Sequence, residues 1–130
     1  MTEEDRKLLL KDLSARLLYG IICDDGYGNV LELNGIDKPN TATFKCFDKT
    51  FWTTDLDKCK PYLFPLSSMT KEQEKEFNQL FELELKAISD EIDHPQITAF
   101  EIDFYNKHHF DWRGLISIGL ALDATDKNIY

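Results

Sequence analysis

The sequence predicts one α+β domain over residues 1–130. Its parts are an N-terminal helix, an antiparallel sheet of three to five strands, and two further helices packed on one face. Three observations predict it. Apolar residues recur at helical spacing near the start (Leu9, Leu10, Leu13, Leu17) and past the middle (Phe77, Leu80, Phe81, Leu85, Ile88). Between these stretches the pattern changes to short alternating runs separated by turns rich in Gly, Asn and Asp. No linker or internal repeat divides the 130 residues, a length that can bury a core of its own.

Each element has a local reason. Thr2 stands three residues before Asp5, Thr70 before Gln73, and Thr98 before Glu101. In each pair the hydroxyl can accept an orphan backbone N–H of the first helical turn while the acid or amide reaches back. The first helix is expected over 3–18, ending at Gly20. The second is expected over 71–89 and the third over 99–109, with Ile97 and Ile102 stapling the latter's start. His94-Pro95 lies between them, because proline breaks a helical ladder.

Residues 19–23 and 30–33 form a hairpin across Asp24-Asp25-Gly26-Tyr27-Gly28-Asn29. Residues 41–47 and 51–54 form two more strands. Residues 55–69, with Pro61 and Pro65, are expected to be an irregular connection. A short turn at 112–116 precedes a final strand over 118–123, and residues 125–130 are expected to be loose.

Composition limits function. Hydrophobic residues are 42% and charged residues 30%, as in ordinary globular proteins. The start Met1-Thr2-Glu3-Glu4-Asp5 has neither the basic residues nor the apolar run of a signal peptide, and no stretch reaches the ~20 apolar residues of a membrane helix. The odd set Cys23, Cys46 and Cys59 has no CxxC pair, which speaks against a disulfide framework or zinc knuckle. A reduced, cytoplasmic protein is expected.

Of the net charge of −9, residues 72–103 carry −8: ten acids against Lys75 and Lys86. Such a field repels nucleic acid and anionic membranes and favours a protein partner with a basic surface. The plainer reading is a solvated helix face.

The densest chemistry is His108-His109-Phe110-Asp111-Trp112-Arg113. His108 or His109 could serve as general base oriented by Asp111, and Arg113 could bind an anion. Adjacent helical residues diverge by about 100°, and histidines four apart are absent, so no metal site is expected. The structural reading is favoured instead. The histidines end a helix, Asp111 caps the turn that follows, Arg113 pairs with an acid on the second helix, and Trp112 anchors the core.

Glu84 falls within the apolar arc of the second helix. It is either an acid of raised pKa in a cleft or, by preference, an ion-pair partner of Arg16 or Arg113. Leu83 faces outward beside it. Asp24 to Asn29 lacks the acidic spacing of a calcium loop, and Ser67-Ser68 lacks the glycines of a nucleophile elbow. No catalytic residue, cofactor or metal is therefore assigned. The low-ranking candidates for an alternative small enzyme or ligand-binding module are His108, His109, Asp111, Arg113 and Glu84.

Three stretches carry a resemblance. They are Lys7 to Leu13 with Ala15-Arg16-Leu17, Lys60-Pro61-Tyr62-Leu63 with Pro65 to Thr70, and Asn106 to Ala124. Together they resemble a family of small uncharacterised proteins from gut anaerobic bacteria and their prophages, leaving the hairpin region unmatched. The resemblance implies a mobile-element context and an intracellular accessory or host-interaction role. It transfers no activity and no site residue.

Overall fold

A computed structural model describes residues 1–37, 40–46, 48, 50–87 and 95–130, with the side chains of 84–87 and 95–98 outside the description. The fold is α+β, as the sequence predicts. Its elements are α1 (Glu3–Arg16), β1 (Ile22–Asp24), β2 (Val30–Asp37), β3 (Thr41–Lys45), β4 (Phe51–Asp55), β5 (Lys60–Leu63), α2 (Lys71–Ala87), α3 (Pro95–Lys107) and β6 (Leu122–Asp123), with short 3₁₀ turns between some of them.

The sheet corrects the expectation of three to five antiparallel strands. Among the described residues it has six, in the order β4-β3-β2-β1-β5-β6. Neighbours are antiparallel except β5 and β6, which run parallel and pair Tyr62 with Leu122 and Leu63 with Asp123. The added strand is β5, inside the segment expected to be irregular. Pro61 lies opposite Cys23 and cannot donate to a ladder. That missing N–H made the segment read as a break, yet extended residues on either side still pair. The final strand is two residues long, not six: residues 112–121 are consumed by turns, with Gly114 and Gly119 at positive φ.

The helix starts are formed as their sequences require. Thr2 Oγ1 accepts from Asp5 N (3.0 Å) and Asp5 Oδ2 from Thr2 N (3.4 Å), while Thr70 and Gln73 make the same exchange at 3.1 and 2.9 Å. α3 differs: it opens at Pro95, four residues before the expected start, with Thr98 inside it. Proline's fixed φ and absent N–H suit the first helical position, and this outranks the cap signal at Thr98. The part of the second-helix stripe at Ile88, and the His94 boundary, lie outside the described residues.

Leu9 and Leu13 of α1 pack with Ile21, Cys23, Leu33, Phe44, Leu56, Cys59, Leu63, Leu115 and Leu120 in one buried cluster. α1 therefore covers one face of the sheet, held also by a bidentate pair from Arg6 to Asp57 at 2.6 and 2.7 Å. α2 packs against α3 through Phe77, which meets Phe100, Phe104 and Tyr105 with ring centroids 5.1–6.1 Å apart. Among its described side chains, 71–83, none is fully buried. The two later helices thus form their own layer instead of both lying on the sheet.

The hairpin turn is closed by Asp25. Its carboxylate accepts Tyr27 N (2.8 Å), Asn29 N (3.1 Å) and Asn29 Nδ2 (2.8 Å). Burial pushes its pKa up, but these bonds outweigh it and the net shift is downward. At Gly26 (φ 84°) a Cβ would stand 2.7 Å from the Lys58 carbonyl, so glycine alone fits.

Candidate site: the C-terminal clamp

The chemistry-rich tail is built onto the end of α3. His109 has φ 61°, left-handed, where glycine is the usual residue. Phe110 N donates to the Tyr105 carbonyl (2.8 Å) and His109 N to the Asn106 carbonyl (3.2 Å), the paired closure that ends a helix. A side chain in this conformation costs about 1 kcal/mol, so other contacts must hold it. They are on both sides of the backbone. Phe64 N donates to the His109 carbonyl and Asp111 N to the Phe64 carbonyl, each at 2.8 Å, so residues 109–111 continue the sheet beyond β5.

Asp111 caps the following turn, as its position suggested. Its Oδ1 accepts Leu115 N (2.8 Å) and its Oδ2 accepts Ile116 N (2.9 Å). Both oxygens are thereby committed to backbone N–H groups. Trp112 Nε1 donates to Asn106 Oδ1 (2.9 Å), and the Arg113 guanidinium lies over the indole at 4.0 Å.

Among the described side chains Arg113 pairs with α1 and not with α2. Its Nε donates to Asp12 Oδ1 (3.1 Å) on α1. Arg16, one turn along the same helix, donates from Nε to Asp12 Oδ2 (2.9 Å) and from Nη2 to the Phe110 carbonyl (2.6 Å). Asp12 and Arg16 are fully buried. One carboxylate therefore holds two guanidiniums and, through them, the tail. Both arginines that sequence reasoning offered to Glu84 are joined to Asp12; the Glu84 side chain itself lies outside the description. The missed residue is Asp12. Its signal was present: positions 9, 12, 13 and 16 share one helical face, so a carboxylate and a guanidinium interrupt the Leu9–Leu13 stripe at a spacing that pairs them.

The two imidazoles part company. His108 packs on Phe104, 4.6 Å between ring centres, with Nε2 3.6 Å from Glu76 Oε1, too long for a hydrogen bond. His109 stacks on Tyr130 at 3.7 Å. Burial foremost, then the charges of Arg16 and His108, lower its pKa from 6.5 to about 4. Among the described atoms its Nδ1 and Arg16 Nη1 have no hydrogen-bond partner.

Tyr130 corrects the expectation of a loose end. Its hydroxyl accepts Ile22 N (2.9 Å), lies 2.8 Å from the Tyr62 carbonyl, and is 3.3 Å from the Ile22 carbonyl. The β1–β5 register stops at Cys23 and Pro61, so the hydroxyl occupies the next rung and bridges the strands where they part. Burial raises its pKa strongly. No sequence pattern announces this contact.

The cluster ties Arg113 and the Phe110 carbonyl to α1 and Asp111 to its own following turn, and sends His108 and His109 to different neighbours. Asp111 and Arg113 spend polar atoms on holding the chain. Among the described residues, no three of His, Cys, Asp and Glu gather as metal ligands would. Among the described residues, one hollow of about 450 Å³ is lined by Gly28 to Leu31, Cys46 and Trp52, and another of about 310 Å³ is lined by Phe64, Gln73, Phe110 and Thr125 among others. No described helix is long and apolar enough to cross a membrane.

No protein-family model, no curated protein and no solved structure matches the chain.

Proposed function

We propose that the chain works without turnover, as an intracellular accessory module of prophage or related mobile-element origin that offers the acidic face of α2 to a basic surface on a protein partner. One observation carries this reading. α2 touches the body mainly through α3, buries none of its described side chains fully, and leaves Leu83 61% exposed among acids. A helix so placed contributes little to the core, while its charge and apolar edge suit recognition. The commitment of Asp111 and Arg113 to anchoring supports the same view.

The test is a pull-down of the full chain from lysate of an anaerobic gut bacterium, with retained proteins identified by mass spectrometry. The control replaces Glu72, Glu74 and Glu82 by Gln. A basic protein should be held by the wild type and lost by the control. It should elute between about 0.1 and about 1 M salt, as the screening length falls from about 10 to about 3 Å. Equal retention by the neutralised control would rule the acidic face out.

A further inference from the structure

The sheet ends at β4, and the hydrogen bonds around it fix which of its groups are free. Cys46 N donates to the Thr50 carbonyl (2.8 Å) and Leu56 N to the Asn40 carbonyl (2.7 Å), one at each end of the β3–β4 hairpin. The register between them pairs Phe44 with Trp52 and Ala42 with Thr54. Bonded pairs recur at every second residue of an antiparallel ladder, so Trp52 and Thr54 bond to β3. Phe51, Thr53 and Asp55 then direct their N–H and C=O groups away from the sheet. All three are exposed, Phe51 at 60%, and Trp52 beside them is 41% exposed. Natural edges are commonly guarded by lysine, proline or a bulge; Phe51-Trp52-Thr53-Thr54-Asp55 has none of these.

We infer that this edge pairs with the same edge of a second copy, antiparallel about a two-fold axis at Thr53. Thr53 then faces its own counterpart and Phe51 faces Asp55 of the second copy. The residues with outward groups meet one another, so every outward N–H and C=O finds a partner. An arbitrary strand has no such built-in register. Charge agrees with it. Lys45 is the β3 partner of Phe51, so it shares a face with Phe51 and with the incoming Asp55, twice by symmetry. Strands about 4.8 Å apart put that Asp within reach of the lysine stem across Phe51. Thr43 and Thr53 of both copies form a row along the same face.

The pairing goes beyond the acidic face of α2 and responds to salt in the opposite sense. Two copies of charge −9 repel one another, so added salt tightens the dimer, whereas it loosens a basic partner on α2. Sedimentation of the full chain over rising concentration and salt reads this directly. The mass should climb from 15.1 kDa toward twice that value. Thr53→Lys and Thr53→Glu should each weaken self-association at least about tenfold, because like charges then face each other across the axis. Mixing the two variants in equal amounts should restore the dimer, which also shows that both fold. A wild-type chain that stays at 15.1 kDa throughout would overturn the inference. So would a Thr53→Lys variant that dimerises as well as wild type, or natively folded variants whose mixture stays monomeric.

Discussion

Asp12 carries the tail clamp on two oxygens, one to each arginine. Replacing it by Ala leaves Arg16 charged in a fully buried site. Breaking a buried pair from one side costs about 3–5 kcal/mol, a large share of the 5–15 kcal/mol that hold a typical domain. Urea unfolding should show that loss for Asp12→Ala. Asp12→Leu combined with Arg16→Met should recover much of it, since an apolar pair of similar volume leaves no charge stranded.

His109 makes a prediction in pH. Its pKa is about 4 in the folded chain against 6.5 for the free group. Below pH 6.5 the unfolded chain takes up a proton that the folded chain refuses. The stabilising contribution is therefore complete above pH 6.5 and is lost progressively as pH falls toward 4. His109→Asn tolerates the left-handed backbone and cannot titrate, so its stability should be flatter across that window in denaturant titrations. The lowered carboxylates Asp25, Asp57 and Asp123 act beneath it, below their ordinary 3.8.

Tyr130 is tested by removing one oxygen. Tyr130→Phe keeps the stack on His109 but strips the rung between Ile22 and Tyr62. A loss of about 1 kcal/mol is expected, the net worth of an ordinary hydrogen bond at this solvent-accessible rung, seen as a lower melting temperature. An unchanged melting temperature would mean that the hydroxyl bridges nothing in solution.

At the scale of elements, α1 and α2 contrast. Both begin with a Thr cap, but α1 buries Leu9, Asp12, Leu13 and Arg16, whereas α2, with no described side chain fully buried, leans mainly on α3 through Phe77 and its neighbours. Local stability follows burial, so amides of α2 should exchange with solvent faster than those of α1. Thr70→Ala removes the cap and costs about 1 kcal/mol of local stability. Hydrogen exchange should register it within α2 while α1 and β1 stay unchanged. A uniform change across the chain would show instead that the α2–α3 layer and the sheet unfold as one.

The strands show where local pattern suffices. β1 to β4 follow alternation and turn residues, and the sequence reading places them within a few residues. β5 was hidden by Pro61, because proline reports what a residue cannot donate and is silent on what lies beside it. β6 was overextended because Ile116, Ile118, Leu120 and Leu122 alternate, while Gly114 and Gly119 at positive φ bend that run into turns.

On the scale of the molecule, charge and topology act at opposite ends. The acidic segment has its described helix, α2, standing off the sheet, and the unguarded edge β4 closes the other side of the strand order. On the two proposals, a partner on α2 is lost as salt rises and a second copy on β4 is gained. Measuring both on one preparation separates the two surfaces.

The sequence alone determined the fold class, the caps at Thr2 and Thr70, the first hairpin, the cap role of Asp111 and the acidic bias. All of these depend on residues within a few positions of one another, where spacing and side-chain chemistry are enough. Tertiary structure decided that Arg113 meets Asp12, 101 positions away along the chain, that the two histidines face different neighbours, and that Tyr130 completes a rung between β1 and β5. Those contacts join segments distant along the chain. Which of several acids an arginine meets is settled only when packing brings one of them, dry and correctly oriented, within reach.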